Sequence, residues 1–529
     1  MDGTWPFCKS LALDRRPRRH EDMSQVFLDQ RSMARDALMQ RALRAARGFD
    51  TAGVREGDAI ALLLRNDFAF FEAQQAAAAL GAYAVPINWH GKPEEVLYIL
   101  NDVAPKVVVG HADLLAPVRE HIPAGTVVIT VPTPPEAVRA FSLAEAATQV
   151  PADAAEWNAW LGAFAPWDGP PRRSRATMIY TSGTTGRAKG VKRDAATPEQ
   201  AAAYVQLMRR VYGLQPGVRA LIGGPLYHSS PNAYARQALP ICDLLVMQTR
   251  FDAEAVLAAI ERHRISHMVA VPTMFVRMLK LPEDVRERYD LSSLKWVTHT
   301  GAPCSAETKC ALMDWWGPVV YETYGGTEVG TATLSTPEDW LAFPGSVGRL
   351  NPDARMVLYG EDGQPVAPGE VGEIFVRVPA YADFTYHNHP EKRKEVERDG
   401  LISCGDVGYV KDDHLYLCDR RSDMVISAGV NIYPAEIEAV LLQCPLVRDC
   451  AVFGIPDEEM GESLAAAVEP MPGTAPDADA LRAFLEDRIA RYKVPRRFDF
   501  HAALPREDSG KIFKRRLRDP FWQAAGRKI

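Results

Sequence analysis

The apolar run Met178-Ile179-Tyr180 passes directly into Thr181-Ser182-Gly183-Thr184-Thr185-Gly186, and Lys189, Lys192 and Arg193 follow as a basic tail. Glycines admit close approach of backbone N–H groups, hydroxyls add donors, and a lysine adds charge, so the segment holds the parts of an anion cradle. The same residue types also make ordinary solvated turns, and the segment alone does not choose between the two. It is not a Walker loop, which needs lysine directly after its last glycine, because Arg187 and Ala188 intervene before Lys189.

Further chemistry-bearing residues follow in order. Glu328 ends the run Tyr-Glu-Thr-Tyr-Gly-Gly-Thr-Glu (321–328), and a hard cation prefers carboxylate and phosphate oxygens. Upstream, Thr-Gly-Ala-Pro-Cys (300–304) ends an apolar run. Asp406, in Gly-Asp-Val-Gly-Tyr-Val (405–410), can accept from two vicinal hydroxyls, the way nucleotide sites read ribose. The basic segment 504–515 carries Lys511 after Gly510. Each of these alone could be a turn or a solvated surface.

Together, and in this order from 181 to 511, the motifs resemble those of the AMP-forming adenylating enzymes: acyl-CoA synthetases, non-ribosomal peptide adenylation domains and beetle luciferases. The phrasing is nearest to bacterial fatty-acyl and aryl-CoA ligases. The first loop matches T-S-G-[ST]-T-G-x-P-K-G except for Ala188, where proline is usual; 321–328 matches Y-G-x-T-E; 419–438 matches the G-R-x-D-D motif that ends in P-x-E-I-E.

The resemblance implies a set of roles. Thr181, Ser182, Gly183, Thr184, Thr185, Gly186 and Lys189 would close over the β- and γ-phosphates of ATP. Gly301, Ala302 and Pro303 would flank adenine, with Tyr324 packed on it. Thr327 would contact the α-phosphate, and Glu328 would hold Mg²⁺. Asp406 would bind the ribose hydroxyls, Arg420 ribose or phosphate, and Lys511 the α-phosphate and the substrate carboxylate. Gly429 would line the pantetheine channel of coenzyme A. Ser422 takes the hinge position, usually Asp or Lys, and Ala428 replaces a common glycine.

The implied acyl site lies near 225–237, with His228 at the aromatic position that gates the carboxylate. Amino-acid-activating relatives carry an aspartate in this region. Pro-Leu-Tyr-His-Ser-Ser-Pro-Asn-Ala-Tyr has none, which favours an uncharged acyl body, either aryl (phenylpropanoid) or a medium-to-long fatty acid. With 18 residues after Lys511, no carrier domain is expected, so the expected acceptor is coenzyme A. Delivery to a separate carrier protein is the alternative. A non-catalytic acyl- or nucleotide-binding relative would be expected to lack Lys511, Glu328 or Thr184, and all three are present.

Elements must hold these residues in place. Short apolar runs at 59–64, 106–110, 219–224, 243–248, 266–271 and 294–299 alternate with helical patterns at 69–81 and 253–263, which predicts layered α/β architecture with mainly parallel sheets. Pro- and Ala-rich stretches at 131–155 and 165–171 read as surface connections. After about 350 the texture becomes that of a small β-rich subdomain, and a new unit begins near 423. The expected division is 1–420, binding ATP and the acyl group, and 421–529, a small mobile α+β domain carrying the lysine.

Composition fits this reading. A chain of 529 residues exceeds one core; its 47% apolar and 24% charged content is that of a globular enzyme. A net charge of −7 gives no bulk attraction for nucleic acid. The N-terminal stretch lacks the apolar core of a signal peptide, and no apolar run is long enough to span a membrane. Eight scattered cysteines without a C-x-x-C pair read as reduced thiols in a cytoplasmic protein, without zinc or disulfides. Whether the chain forms a homodimer is left open.

Overall fold

The computed structural model describes residues 24–170, 172–181, 188–420, 423–427, 430–457, 460–506 and 512–524, with only the backbone of Arg420 and Asn431. Ser182, Gly183, Thr184, Thr185, Gly186, Ser422, Ala428, Gly429 and Lys511 lie outside the described residues.

Continuous apolar runs become strands covered on both faces. Ala59–Leu63 is buried at every position, as expected of a parallel strand sandwiched between helices. It belongs to a five-stranded parallel sheet ordered Tyr83–Pro86, Ala59–Leu63, Val107–His111, Val127–Val131 and Ala155–Glu156. A seven-stranded sheet runs Val320–Glu322, Trp296–His299, His267–Ala270, Arg219–Ile222, Leu244–Met247, Gln25–Leu28 and Arg31–Ala34, parallel except for the last strand. Helices Arg35–Thr51 and Phe68–Ala79 lie in one core, where the small faces Ala42-Ala45-Ala46 and Ala69-Ala73-Ala76 permit close approach.

A three-stranded antiparallel sheet, Phe384–Tyr386, Lys189–Arg193 and Ile179–Thr181, brings residues nearly 200 positions apart together. The β-rich unit after 350 is an antiparallel sheet of Arg355–Tyr359, Gly372–Arg377, Leu401–Lys411, Glu397–Arg398 and His414–Arg420. The small C-terminal domain pairs the long antiparallel strands Val447–Asp457 and Gly461–Pro470 and adds Arg497–Phe500 in parallel. Helices Pro434–Leu441 and Ala478–Glu486 cover a separate core that includes Ile437, Leu441, Leu481 and Leu485.

The chain is thus α/β, a large N-terminal domain with parallel sheets plus a small C-terminal domain. Two features differ from the sequence reading. The hairpin Gln25–Leu28/Arg31–Ala34 extends the large sheet where the sequence reading placed no strand; its register is set by pairing with Leu244–Met247. The stretch 131–155 is not merely a connection: it contains the helix Pro135–Phe141, whose Glu136 is buried and ion-paired with Arg31.

Because Leu485 sits fully buried in a core built only from residues 425–498, Leu485→Ala should cost about 2–5 kcal/mol in that domain alone. Thermal unfolding followed by circular dichroism should show a low-temperature transition splitting away from the main one. A single transition shifted as a whole would contradict independent cores.

Candidate active site

The segment Tyr321–Glu328 follows from a strand end. Val320–Glu322 pairs in parallel with Trp296–His299, so Thr300–Pro303 and Thr323–Tyr324 emerge side by side at the carboxyl edge, where open α/β sheets bind ligands. The Thr323 amide donates to the His299 carbonyl at 3.1 Å and fixes their separation. A tight hairpin, Gly325–Gly326 against Gly330–Thr331, comes next. A Cβ on Gly325 would stand 2.0 Å from the Gly330 carbonyl oxygen, so only glycine fits there.

Behind these segments lies a buried charged group. Lys309, fully buried, donates to Glu322 Oε2 at 2.8 Å, and His299 Nε2 is 3.7 Å from the same oxygen. Burial holds the His299 imidazole down to about 4; Glu322 opposes this and Lys309 reinforces it.

The sequence-predicted residues gather in two groups. Tyr324 is buried, and its hydroxyl donates to Asp406 Oδ2 at 2.9 Å; Asp406 in turn opposes Arg420 across the strand pair. The second group centres on Glu328. Its Oε1 accepts from Thr181 Oγ1 at 3.3 Å and from the Tyr386 hydroxyl at 3.2 Å. Burial, then the nearby Glu328 charge, pushes the Tyr386 phenol up, so it stays a proton donor. Lys189 Nζ lies 5.0 Å from the Tyr386 ring centroid.

Thr327 bonds through its hydroxyl to Ser229 Oγ at 3.3 Å. Ser229 opens the ten-residue helix Ser229–Ala238, with His228 as its N-terminal flanking residue and the Tyr227 ring 4.3 Å from the imidazole. The loop before it is fixed from below. Asn66 Nδ2 donates to the carbonyls of Gly224 and Gln248, its Oδ1 accepts from the Leu226 amide, and Asn232 Nδ2 donates to the Leu226 carbonyl at 2.8 Å.

The basic tail divides in a way its sequence did not indicate. Lys192 lies over Tyr83, with Nζ 5.3 Å from the ring centroid, and Arg193 is buried with its guanidinium on main-chain carbonyls. Of the three basic residues in the tail, Lys189 lies beside Tyr386, Lys192 over Tyr83, and Arg193 reaches Glu328 only at its main-chain carbonyl. Sequence reasoning also passed over Ser229, Tyr386, Asn66 and Asn232. The Asn66-Asp67 pair between a strand and a helix was a readable cap signal, and Asp67 does accept from the Phe68 amide at 2.8 Å. Tyr386, in an unmarked Phe-Thr-Tyr strand, offered no signal. Among the described residues no group of His, Cys, Asp or Glu forms a protein-only metal cage. A carboxylate flanked by hydroxyls suits a hard cation shared with phosphate oxygens.

Comparison with known proteins identifies the family. The family model described as AMP-binding enzyme matches residues 13–383, and that of the AMP-binding enzyme C-terminal domain matches 436–511. A feruloyl-CoA synthase of Amycolatopsis sp is 33% identical over 531 residues, spanning 98% of this chain and 99% of its own length. A fatty acid–[acyl-carrier-protein] ligase of Streptomyces coeruleorubidus is 31% identical over 525 residues, 95% and 94% of the two chains. Among solved structures, o-succinylbenzoate CoA synthetase from Bacillus subtilis, in complex with its acyl-adenylate intermediate, aligns with a TM-score of 0.76 at 26% identity over 94% of this chain and 96% of its own. The chain belongs to the AMP-binding enzyme family. At the level of class it is an AMP-forming acid–CoA ligase that works with ATP, Mg²⁺ and coenzyme A. No helix among the described residues is long and apolar enough to cross a membrane.

The His299 shift carries a pH signature. An imidazole that ordinarily titrates at 6.5 but is held near 4 in the fold leaves the unfolded chain binding the extra proton between those values. Its contribution to stability is therefore complete above pH 6.5 and drains away as pH falls toward 4; His267, also held down to about 4 by burial, adds to the slope. Denaturant unfolding of His299→Gln should show a shallower loss over that window than the parent. Equal slopes would show that His299 does not titrate this way.

Proposed function

We propose that the acid activated by this ligase is an aromatic, phenylpropanoid-type monocarboxylate, and that the residues assembled above act on ATP and on that acid. The observation that carries the substrate is the match to a feruloyl-CoA synthase along nearly the whole of both chains, joined to an acyl loop without an acidic side chain and with buried Tyr227 edge-on to Trp89 at 6.1 Å.

In this reading the substrate carboxylate oxygen attacks the α-phosphorus of ATP, the bond to the bridging oxygen breaks, and pyrophosphate leaves. The thiol of coenzyme A then attacks the acyl carbon, and AMP leaves with the attacking oxygen. The chain's own part is positioning and charge stabilisation. Gly301, Ala302 and Pro303 with Tyr324 hold adenine, and Asp406 and Arg420 hold ribose. Thr327, beside the positive end of helix Ser229–Ala238, meets the α-phosphate. Thr181–Gly186 and Lys189 grip the departing phosphates, and Lys511 bridges α-phosphate and carboxylate. His228 stands at the mouth of the acyl site.

Mg²⁺, held by Glu328 and phosphate oxygens, would neutralise the charge that builds up as pyrophosphate departs. Segment 421–529 turns about Ser422, presenting Lys511 for the first step and Gly429 for the second. The enzyme works in the cytoplasm, a reading supported by seven described cysteines that are all free thiols.

A second acceptor is favoured by one finding, the full-length match to an acyl-carrier-protein ligase. Thioester formation should be measured with ferulate, cinnamate, octanoate and palmitate, each offered coenzyme A and a carrier protein. Ferulate or cinnamate with coenzyme A should give the highest kcat/KM. Preference for palmitate, or for the carrier, would refute the substrate or the acceptor respectively. In single turnovers, Lys511→Ala should lose acyl-adenylate formation yet still convert supplied acyl-adenylate to thioester. Equal loss in both steps would refute the two-conformation reading.

A further inference from the structure

Arg193 closes the strand Lys189–Arg193 that leads out of the phosphate loop, and its chemistry is not that of a phosphate ligand. Its guanidinium is buried: Nη1 donates to the Ala382 carbonyl at 2.8 Å, and Nη2 to the Thr327 carbonyl at 2.8 Å and the Glu328 carbonyl at 2.7 Å. Its carbon centre lies 5.0 Å from the Tyr381 ring centroid and 5.7 Å from that of Phe384. A cavity of about 10 Å³, lined in part by Arg193, Glu328, Val329 and Tyr381, adjoins it. That is room for one water and not for a phosphate.

Burying a guanidinium is costly unless its protons are taken up, and three carbonyls and two aromatic faces take them up here. The two carbonyls on Nη2 belong to the very residues assigned to the α-phosphate and the metal. Glu328 is also held through its side chain by Thr181 and Tyr386, from the other two strands of the same sheet. One three-stranded sheet therefore borders the phosphate loop on both sides and fixes Glu328 at main chain and carboxylate alike.

We propose that Arg193 is a positioning residue for the metal site: it ties the main chain of Thr327 and Glu328 to the exit strand of the phosphate loop, so that triphosphate and Mg²⁺ meet in a fixed relation. The inference rests on the assignment of Mg²⁺ to Glu328. Arginine is required because one fork serves several carbonyls; lysine would keep the charge but supply a point donor without the fork.

The test measures, in the full chain and in Arg193→Lys, Arg193→Met and Glu328→Gln, the Mg²⁺ affinity of the ATP-bound protein by calorimetry without acid, together with the Mg²⁺ concentration for half-maximal pyrophosphate release at fixed ATP and ferulate. Loss of a group that orients a metal ligand weakens metal affinity on the order of 10–100-fold. Arg193→Lys should therefore raise the Mg²⁺ requirement about tenfold or more, with Arg193→Met worse, while the KM for the acid stays within about twofold. Arg193→Lys keeps the buried charge and decides the matter if Arg193→Met fails to fold. A parental Mg²⁺ requirement in Arg193→Lys, beside a raised one in Glu328→Gln, overturns the role of Arg193 alone. A parental requirement in Glu328→Gln overturns the metal assignment and the inference with it. A rise in acid KM equal to the rise in Mg²⁺ requirement marks general loss of structure and also overturns it.

Discussion

A carboxylate meant for a metal ion must be held still without having its charge cancelled by the protein. In its proposed role as the Mg²⁺ ligand, Glu328 meets that constraint through its choice of partners. Among the described residues its carboxylate is oriented by two neutral hydroxyls, those of Thr181 and Tyr386, and the buried cation beside its main chain, Arg193, spends its donors on main-chain carbonyls instead. An arginine on the carboxylate itself would have formed an ion pair that a cation must break. Much of the architecture serves this arrangement: the three-stranded sheet exists to bring 179–181, 189–193 and 384–386 around one glutamate.

The same economy recurs where the nucleotide is proposed to bind. The spacing of the two strand-end segments Thr300–Pro303 and Thr323–Tyr324 is set behind them, by the amide of Thr323 on His299 and by the buried Lys309–Glu322 pair. Breaking a buried pair by removing one partner is far more costly than replacing both, so this pair fixes geometry more than it adds stability. On the acyl side, Asn66 and Asn232 fix the Gly224–Leu226 turn from within the core. The reacting groups stand on loops, and the rigidity comes from buried amides and charges beneath them.

What the sequence made legible follows from this division. Tyr324, Thr327, Glu328 and Asp406 stood out because their residue types and spacing carry chemistry at first hand, and the structure joins Tyr324 to Asp406 and Glu328 to Thr181, two pairs drawn from different motifs. The strands at 59–63, 107–111, 219–222 and 296–299 were legible as apolar runs. Residues that act through long-range pairing were not. Tyr386 meets Glu328 across 58 positions, and Arg193 meets Thr327 across 134. Arg193 received no role from the sequence for a physical reason: a cation in the basic tail after a glycine-rich loop shows nothing of its burial or its carbonyl partners. The polar strand Arg31–Ala34 was invisible because its place is set by its partner strand and not by its own alternation.

The central claim is that an acid oxygen attacks the α-phosphate of ATP. It is tested most directly by running the reaction with ferulate labelled with ¹⁸O in both carboxylate oxygens and analysing the products by mass spectrometry. The account predicts that each AMP released carries a single ¹⁸O from the acid, with unlabelled pyrophosphate. Label in inorganic phosphate with formation of ADP, or AMP free of label, would contradict it.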